Sequence, residues 1–187
     1  MKKIHPVTYL AATAIVTVFS AIIYVTVQQS YRSSANDPQL QIAGDITSRV
    51  DAGKSIDHFM NGDTVDVSKS LSVFKVLYDS NKMPVYSTAL LDGKPPRLPL
   101  GVFDFAKQNM ENVFTWQPRK GVRIAMVLKA ISGPQMGFVG VGRSLLEIER
   151  RESDLTTMVC TAWIISLAVI LFHFLAISFF QKLKEQG

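Results

Sequence analysis

Cysteine and histidine are nearly missing from this sequence, which has one of the first and three of the second in 187 residues. Cys160 has no partner for an intramolecular disulfide, and a chain otherwise free of cysteine suits an oxidising compartment without proving one. His5, His58 and His173 stand far apart, so no pair has metal-ligand spacing. There is no nucleophile motif and no Walker pattern, and the glycine-rich run Gly137-Phe138-Val139-Gly140-Val141-Gly142 lacks the Lys-Ser/Thr that a phosphate loop requires. We therefore expect no enzyme and no cofactor. Two local absences say more. Val7 to Val27 runs for 21 residues without a charge, and Ser144 to Phe180 contains neither Gly nor Pro.

With 48% apolar residues the chain is too short for a polytopic transporter and too apolar for one soluble domain. Two spans and one domain fit. The spans are expected at 7–27 and 158–180, with short tails at 1–6 and 181–187 and a domain of about 130 residues at 28–157, a usual single-domain size. Of the formal +5, Lys2, Lys3, Lys182 and Lys184 against Glu185 belong to the tails, which leaves +2 for the domain. That is no nucleic-acid footprint.

The first apolar block follows Lys2, Lys3 and Pro6 and reads as a helix entering from the cytoplasm. A cleaved signal peptide with its site near Ser33-Ser34-Ala35 is the competing reading, but the apolar run exceeds the ~7–15 residues of a signal core. Arg32 and the pair Arg150-Arg151 nearly balance beside the membrane, so orientation rests on the short two-lysine amino end, which is hard to export. Both termini are then cytoplasmic and the domain is outside.

Within the domain, Asp37 is expected to cap a helix with Pro38 in its first turn, and Leu40, Ala43, Ile46, Thr47 and Val50 form a narrow apolar stripe ending near Gly53. A short helix from Lys54 to Met60 and a turn at Asn61-Gly62-Asp63 follow. The period then changes to that of strands. Val73 to Tyr78 and Val85 to Leu90 make a hairpin, Leu91 to Pro99 a surface loop, and Gly101 to Met110 a helix packed on the sheet. Val113 to Trp116 and Val122 to Ile131 make a second hairpin about Gln117-Pro118-Arg119-Lys120-Gly121. In the long strand Val122, Ile124, Met126 and Leu128 face the core and Arg123, Ala125, Val127 and Lys129 face away. After a turn at Ser132-Gly133-Pro134, Met136 to Arg143 is the last strand, whose glycines predict close approach of a backbone or a ligand. Ser144 with Glu147 then reads as a capping box opening one helix that continues into the second span.

Segments such as Ala35-Asn36-Asp37-Pro38-Gln39, Tyr78-Asp79-Ser80-Asn81-Lys82-Met83-Pro84-Val85 and Gly142-Arg143-Ser144-Leu145, in this element order between two spans, resemble the extracytoplasmic single-Cache or PAS-like sensor domains of bacterial sensor histidine kinases and chemoreceptors. The resemblance implies an α+β fold with a small antiparallel five-stranded sheet, helices packed on it, a small-molecule pocket, and a homodimer signalling through parallel helices in the inner membrane. Only Gln181 to Gly187 follows the second apolar block in this sequence, so the usual kinase, cyclase or methyl-accepting output is not expected on this chain. The chain is then expected to act on a partner histidine kinase or another membrane effector. The alternative is a non-sensing accessory protein that uses the same domain for docking.

Arg123, with Trp116 and Tyr86 on what read as neighbouring strands and Arg97 in the loop above, is the candidate site for a small acidic ligand, since a guanidinium fork matches a carboxylate and aromatic rings cover an apolar flank. The plainer reading leaves Arg123 solvated and Trp116 in the core. His58 reads as surface, and Arg119 and Lys120 as a hairpin tip facing solvent or headgroups. Leu145, Ile148, Glu152, Leu155 and Val159 have the 3,4 spacing of a two-stranded seam, the candidate signalling and dimer helix. In the second span Ala162 and Ser166 form a small-xxx-small pair, and His173 is an ionisable group in the membrane, a functional candidate by default.

Overall fold

Among the described residues two helices are long and apolar enough to cross a membrane, and neither buries its apolar stretch inside the protein. In the computed structural model, which describes residues 6–54, 62–132 and 137–185, these are α1 (Pro6–Ser34) and α4 (Leu146–Glu185). His5, His58, Gly133, Pro134 and all of the expected 54–60 helix except Lys54 lie outside the described residues. The chain divides into two compact units, Met1–Tyr31 with Arg150–Gly187, and Arg32–Glu149.

The second unit is α+β. A two-residue break at Ala35-Asn36 separates α1 from α2 (Asp37–Asp51), and Asn36, not Asp37, occupies the cap position. Asp37 instead sits in the first turn, where a carboxylate suits the positive end of the helix. Gly53, at φ 78°, ends the helix with its N–H on the Val50 carbonyl.

Among the described residues seven strands follow: β1 (Val65–Asp66), β2 (Phe74–Asp79), β3 (Pro84–Ser87), β4 (Ala89–Leu90), β5 (Glu111–Arg119), β6 (Val122–Ile131) and β7 (Gly137–Ser144), with α3 (Leu100–Asn109) between β4 and β5. Five make an antiparallel sheet in the order β3-β2-β7-β6-β5, so the last strand is inserted at the centre. The expected single strand from Val85 to Leu90 is broken at Thr88, whose N–H and hydroxyl both engage the Lys75 backbone. Beyond it β4 leaves the sheet and pairs in parallel with β1.

Both faces of the sheet carry a core. Phe74, Val76, Tyr78, Ile124, Met126, Leu128, Trp116 and Phe138 pack with Phe103 and Ala106 of α3. On the other side Val127, Val139, Val141 and Ile131 pack with Ala43 and Ile46 of α2. The face of β6 expected to look away from the core is thus buried at Ala125 and Val127, and only its ends, Arg123 and Lys129, reach water. The glycines of β7 serve this packing. A methyl group at Gly142 would run into Met126 Sδ and the Phe74 ring, and one at Gly140 would press on the Tyr78 ring. The close approach expected at these glycines is made by the protein's own side chains.

Candidate functional site

The four residues expected to hold a ligand are not gathered in one place. Trp116 stands opposite Ile124, on the α3 side, whereas Arg123 is one residue along β6 and therefore points to the α2 side. Tyr86 is opposite Leu77 on β3, the far edge of the sheet, and 39% exposed. Three strands separate β3 from β5, a distance of roughly 19 Å at the usual strand spacing. The expectation assumed that strands close in sequence are close in space, and the central placement of β7 undoes it.

Trp116 and Arg97 do share one place. They line an open concavity of about 510 Å³ between the end of β5 and the proline-rich arm Lys94-Pro95-Pro96-Arg97-Leu98-Pro99. The arm is entered through a tight turn in which Leu91 and Lys94 exchange two backbone hydrogen bonds and Asp92 and Gly93 both take positive φ, the pattern that Asp-Gly favours. It is pinned from beneath: the buried Tyr78 hydroxyl donates to the Pro96 carbonyl at 3.1 Å. Burial pushes the Tyr78 phenol well above its ordinary pKa, so it stays a donor. Arg119 donates to Asp92 at 2.8 Å and ties the hairpin tip to the turn.

Pro96, Leu98 and Trp116 are buried and form the floor, while Lys94, Arg97, Pro99 and Gln117 are exposed at the rim. Exposed ion pairs contribute about 0–1 kcal/mol each, and micromolar affinity requires about 8 kcal/mol. The two cations alone therefore hold a small carboxylate weakly. An occupant must also use the floor.

Arg123 has another role. Its carbonyl accepts from the Leu145 N–H at 2.8 Å, and its guanidinium donates to Glu149 in the first turns of α4 at 2.8 Å. Arg143 of β7 donates to Glu147 at 2.6 Å, and the Ser144 hydroxyl accepts from the Leu146 N–H at 3.3 Å. Strand β6, the central strand and the helix start are thus joined by one set of contacts. Sequence reading gave Glu147 to the cap and missed the junction, although Arg143 and Glu147 stand at the i,i+4 spacing that signals such a pair.

In the first unit, Glu152, Leu155 and Val159 of the expected seam are half-buried, and half-buried positions at helical spacing continue through Trp163, Ser166 and Ile170, although 159 to 163 steps out of the strict 3,4 alternation. This side of α4 meets the chain's own α1: Trp163 Nε1 donates to Thr17 Oγ1 at 3.0 Å, and Tyr9 Oη lies 3.3 Å from His173 Nδ1 with its ring edge-on to Phe174. Leu145 and Ile148, the first two seam positions, belong to the other unit and are also half-buried. Along α1 the polar residues Tyr9, Thr13, Ser20, Tyr24, Gln28 and Tyr31 fall on its half-buried side, a stripe at helical spacing that the apolar composition concealed. Ser166 donates back to the Ala162 carbonyl at 2.8 Å, as a lone intrahelical hydroxyl does. Among the described residues no cluster of His, Cys, Asp or Glu could hold a metal ion.

No protein-family model matches the chain, and no curated protein matches it either.

Proposed function

We propose that this chain is a two-pass inner-membrane protein of the sensor type, with both termini in the cytoplasm, an extracytoplasmic PAS/Cache-like domain that receives a small acidic ligand or a partner, and α4 as the element that passes the change to a separate effector such as a histidine kinase. The observation that carries the reading is the junction. The central strand of the sheet runs into α4 with one residue between, and Arg123–Glu149 and Arg143–Glu147 hold the helix start to two strands. A displacement of β7 would have to move the beginning of α4. Assembly as a homodimer through Leu145 and, on α4, Ile148, Glu152 and Leu155 belongs to the same proposal. A non-sensing docking protein is the second reading. It is favoured by the filling of both sheet faces with core side chains, which puts the open concavity at the arm on the surface, where a partner can reach it.

The arrangement is tested by thiol labelling in a Cys160→Ser background. Lys107→Cys, exposed on α3, should react with a membrane-impermeant maleimide in intact cells, and Lys182→Cys only after permeabilisation. Protection of Lys107→Cys in intact cells would sink the proposal.

A further inference from the structure

The trough beside the proline arm has a chemistry of its own. Its lining includes Lys94 and Arg97 and no acidic side chain, and Asp92 at the adjoining turn is already engaged by Arg119. Neither rim cation has an ion-pair partner among the described residues. Beneath them the floor of Trp116, Pro96 and Leu98 is apolar and buried. The shape is set before anything binds, because prolines fix φ at Pro95, Pro96, Pro99 and Pro118 and Tyr78 anchors the arm at Pro96. A rigid, open trough with positive rim and apolar floor encloses no small molecule. It matches a chain that offers carboxylates to the rim and apolar side chains to the floor in turn, as an extended peptide does.

From this we infer that the trough docks an extended acidic segment of a partner protein, whose carboxylates pair with Lys94 and Arg97 and whose intervening apolar side chains cover Trp116. The inference rests on the reading of this domain as the receiving part of the molecule and names what it receives. Trp116 itself reports occupancy. The sequence has two tryptophans, and the other, Trp163, lies in the second apolar helix, so in a Trp163→Phe variant Trp116 is the sole indole.

The test uses that full-length variant in phosphatidylcholine nanodiscs, titrated with an end-capped peptide of alternating Glu and Leu, with its Gln-Leu counterpart, and with benzoate. The Glu-Leu peptide should shift Trp116 emission saturably. Replacing Glu by Gln in the peptide, or combining Lys94→Gln with Arg97→Gln in the protein, should weaken binding about tenfold, the effect of two exposed charge pairs. Added salt should weaken it as well. No shift with the acidic peptide, equal binding of the Gln-Leu peptide, or indifference to the loss of both cations would overturn the inference. Benzoate saturating the same signal at the same concentration would do so too, and would assign the trough to small carboxylates. Maleimide access to Lys107→Cys is independent of these titrations, so the partner class and the sensor-type reading can fail separately.

Discussion

The two faces of the sheet are packed by different means. On the α3 side the core is aromatic and interlocked: Phe103 is edge-on to Tyr78 at 5.0 Å and to Phe138 at 5.2 Å, and glycines of β7 make room for Phe74, Tyr78 and Met126. On the α2 side the core is a thin layer of Ala43, Ile46, Val127, Val139 and Val141, and polar groups enter it. Gln39 and Thr47 are buried there, and burial lowers the pKa of Lys75 on the same face. Large interdigitated rings lose much when displaced, whereas small aliphatic side chains against a helix slide at lower cost. The α3 face is therefore the fixed platform under the proline arm, and the α2 face the adaptable one.

The largest expected effect tests that contrast. Phe103→Ala removes a fully buried ring from the middle of the aromatic cluster and should cost about 3–5 kcal/mol, against about 0.5–1.5 kcal/mol for Ile46→Val on the other face. Thermal or denaturant unfolding of the two variants gives the comparison directly. Equal losses would mean that the aromatic face is no more firmly packed than the aliphatic one.

A smaller effect links the platform to the trough. Tyr78→Phe keeps the ring and deletes the hydrogen bond to Pro96, which should cost about 0.5–1.5 kcal/mol and loosen the arm. The sign of the pH dependence follows from the raised phenol pKa. Between the unfolded value of 10.0 and the higher folded value the native state holds a proton that the unfolded state has lost, so stability falls as pH rises above 10.0. This alkaline loss should be smaller in Tyr78→Phe. An unchanged profile would show that the phenol is not what titrates.

How much of this was legible follows from which forces are local. The two long apolar helices, α2, α3 and the strands from Phe74, Glu111, Val122 and Gly137 announce themselves by composition and period, because their side chains sort within one turn or one pleat. Strand order does not. Nothing near Val139 indicates that it lies between Leu77 and Lys129, and without that pairing Tyr86 and Trp116 looked adjacent and Arg123 looked like part of their site. The parity of β6 was read correctly, but the pattern of Arg123 and Lys129 about Ala125 and Val127 suggested water where α2 packs. Thr88, which breaks one expected strand in two, acts through Lys75, 13 residues away, and carries no turn signal of its own.

The smallest expected effect bears on the softer face. Gln39 is wholly buried, with its amide Nε2 donating to the Ala35 carbonyl at 3.0 Å, while Oε1 has no hydrogen-bond partner among the described residues. An unsatisfied buried acceptor costs about 1–3 kcal/mol, and the one bond made returns about 0.5–1.5 kcal/mol. Gln39→Met keeps length and volume while removing both terms, and the Ala35 carbonyl, being only half-buried, can turn to water. The net change should lie near zero or on the stabilising side, measured by the same unfolding experiments. Gln39→Ala, which leaves a cavity, should destabilise clearly. If instead Gln39→Met lost more than about 1.5 kcal/mol, Oε1 would be making a bond in solution, and the α2 face would owe its hold on the sheet to a specific polar contact in place of adaptable aliphatic packing.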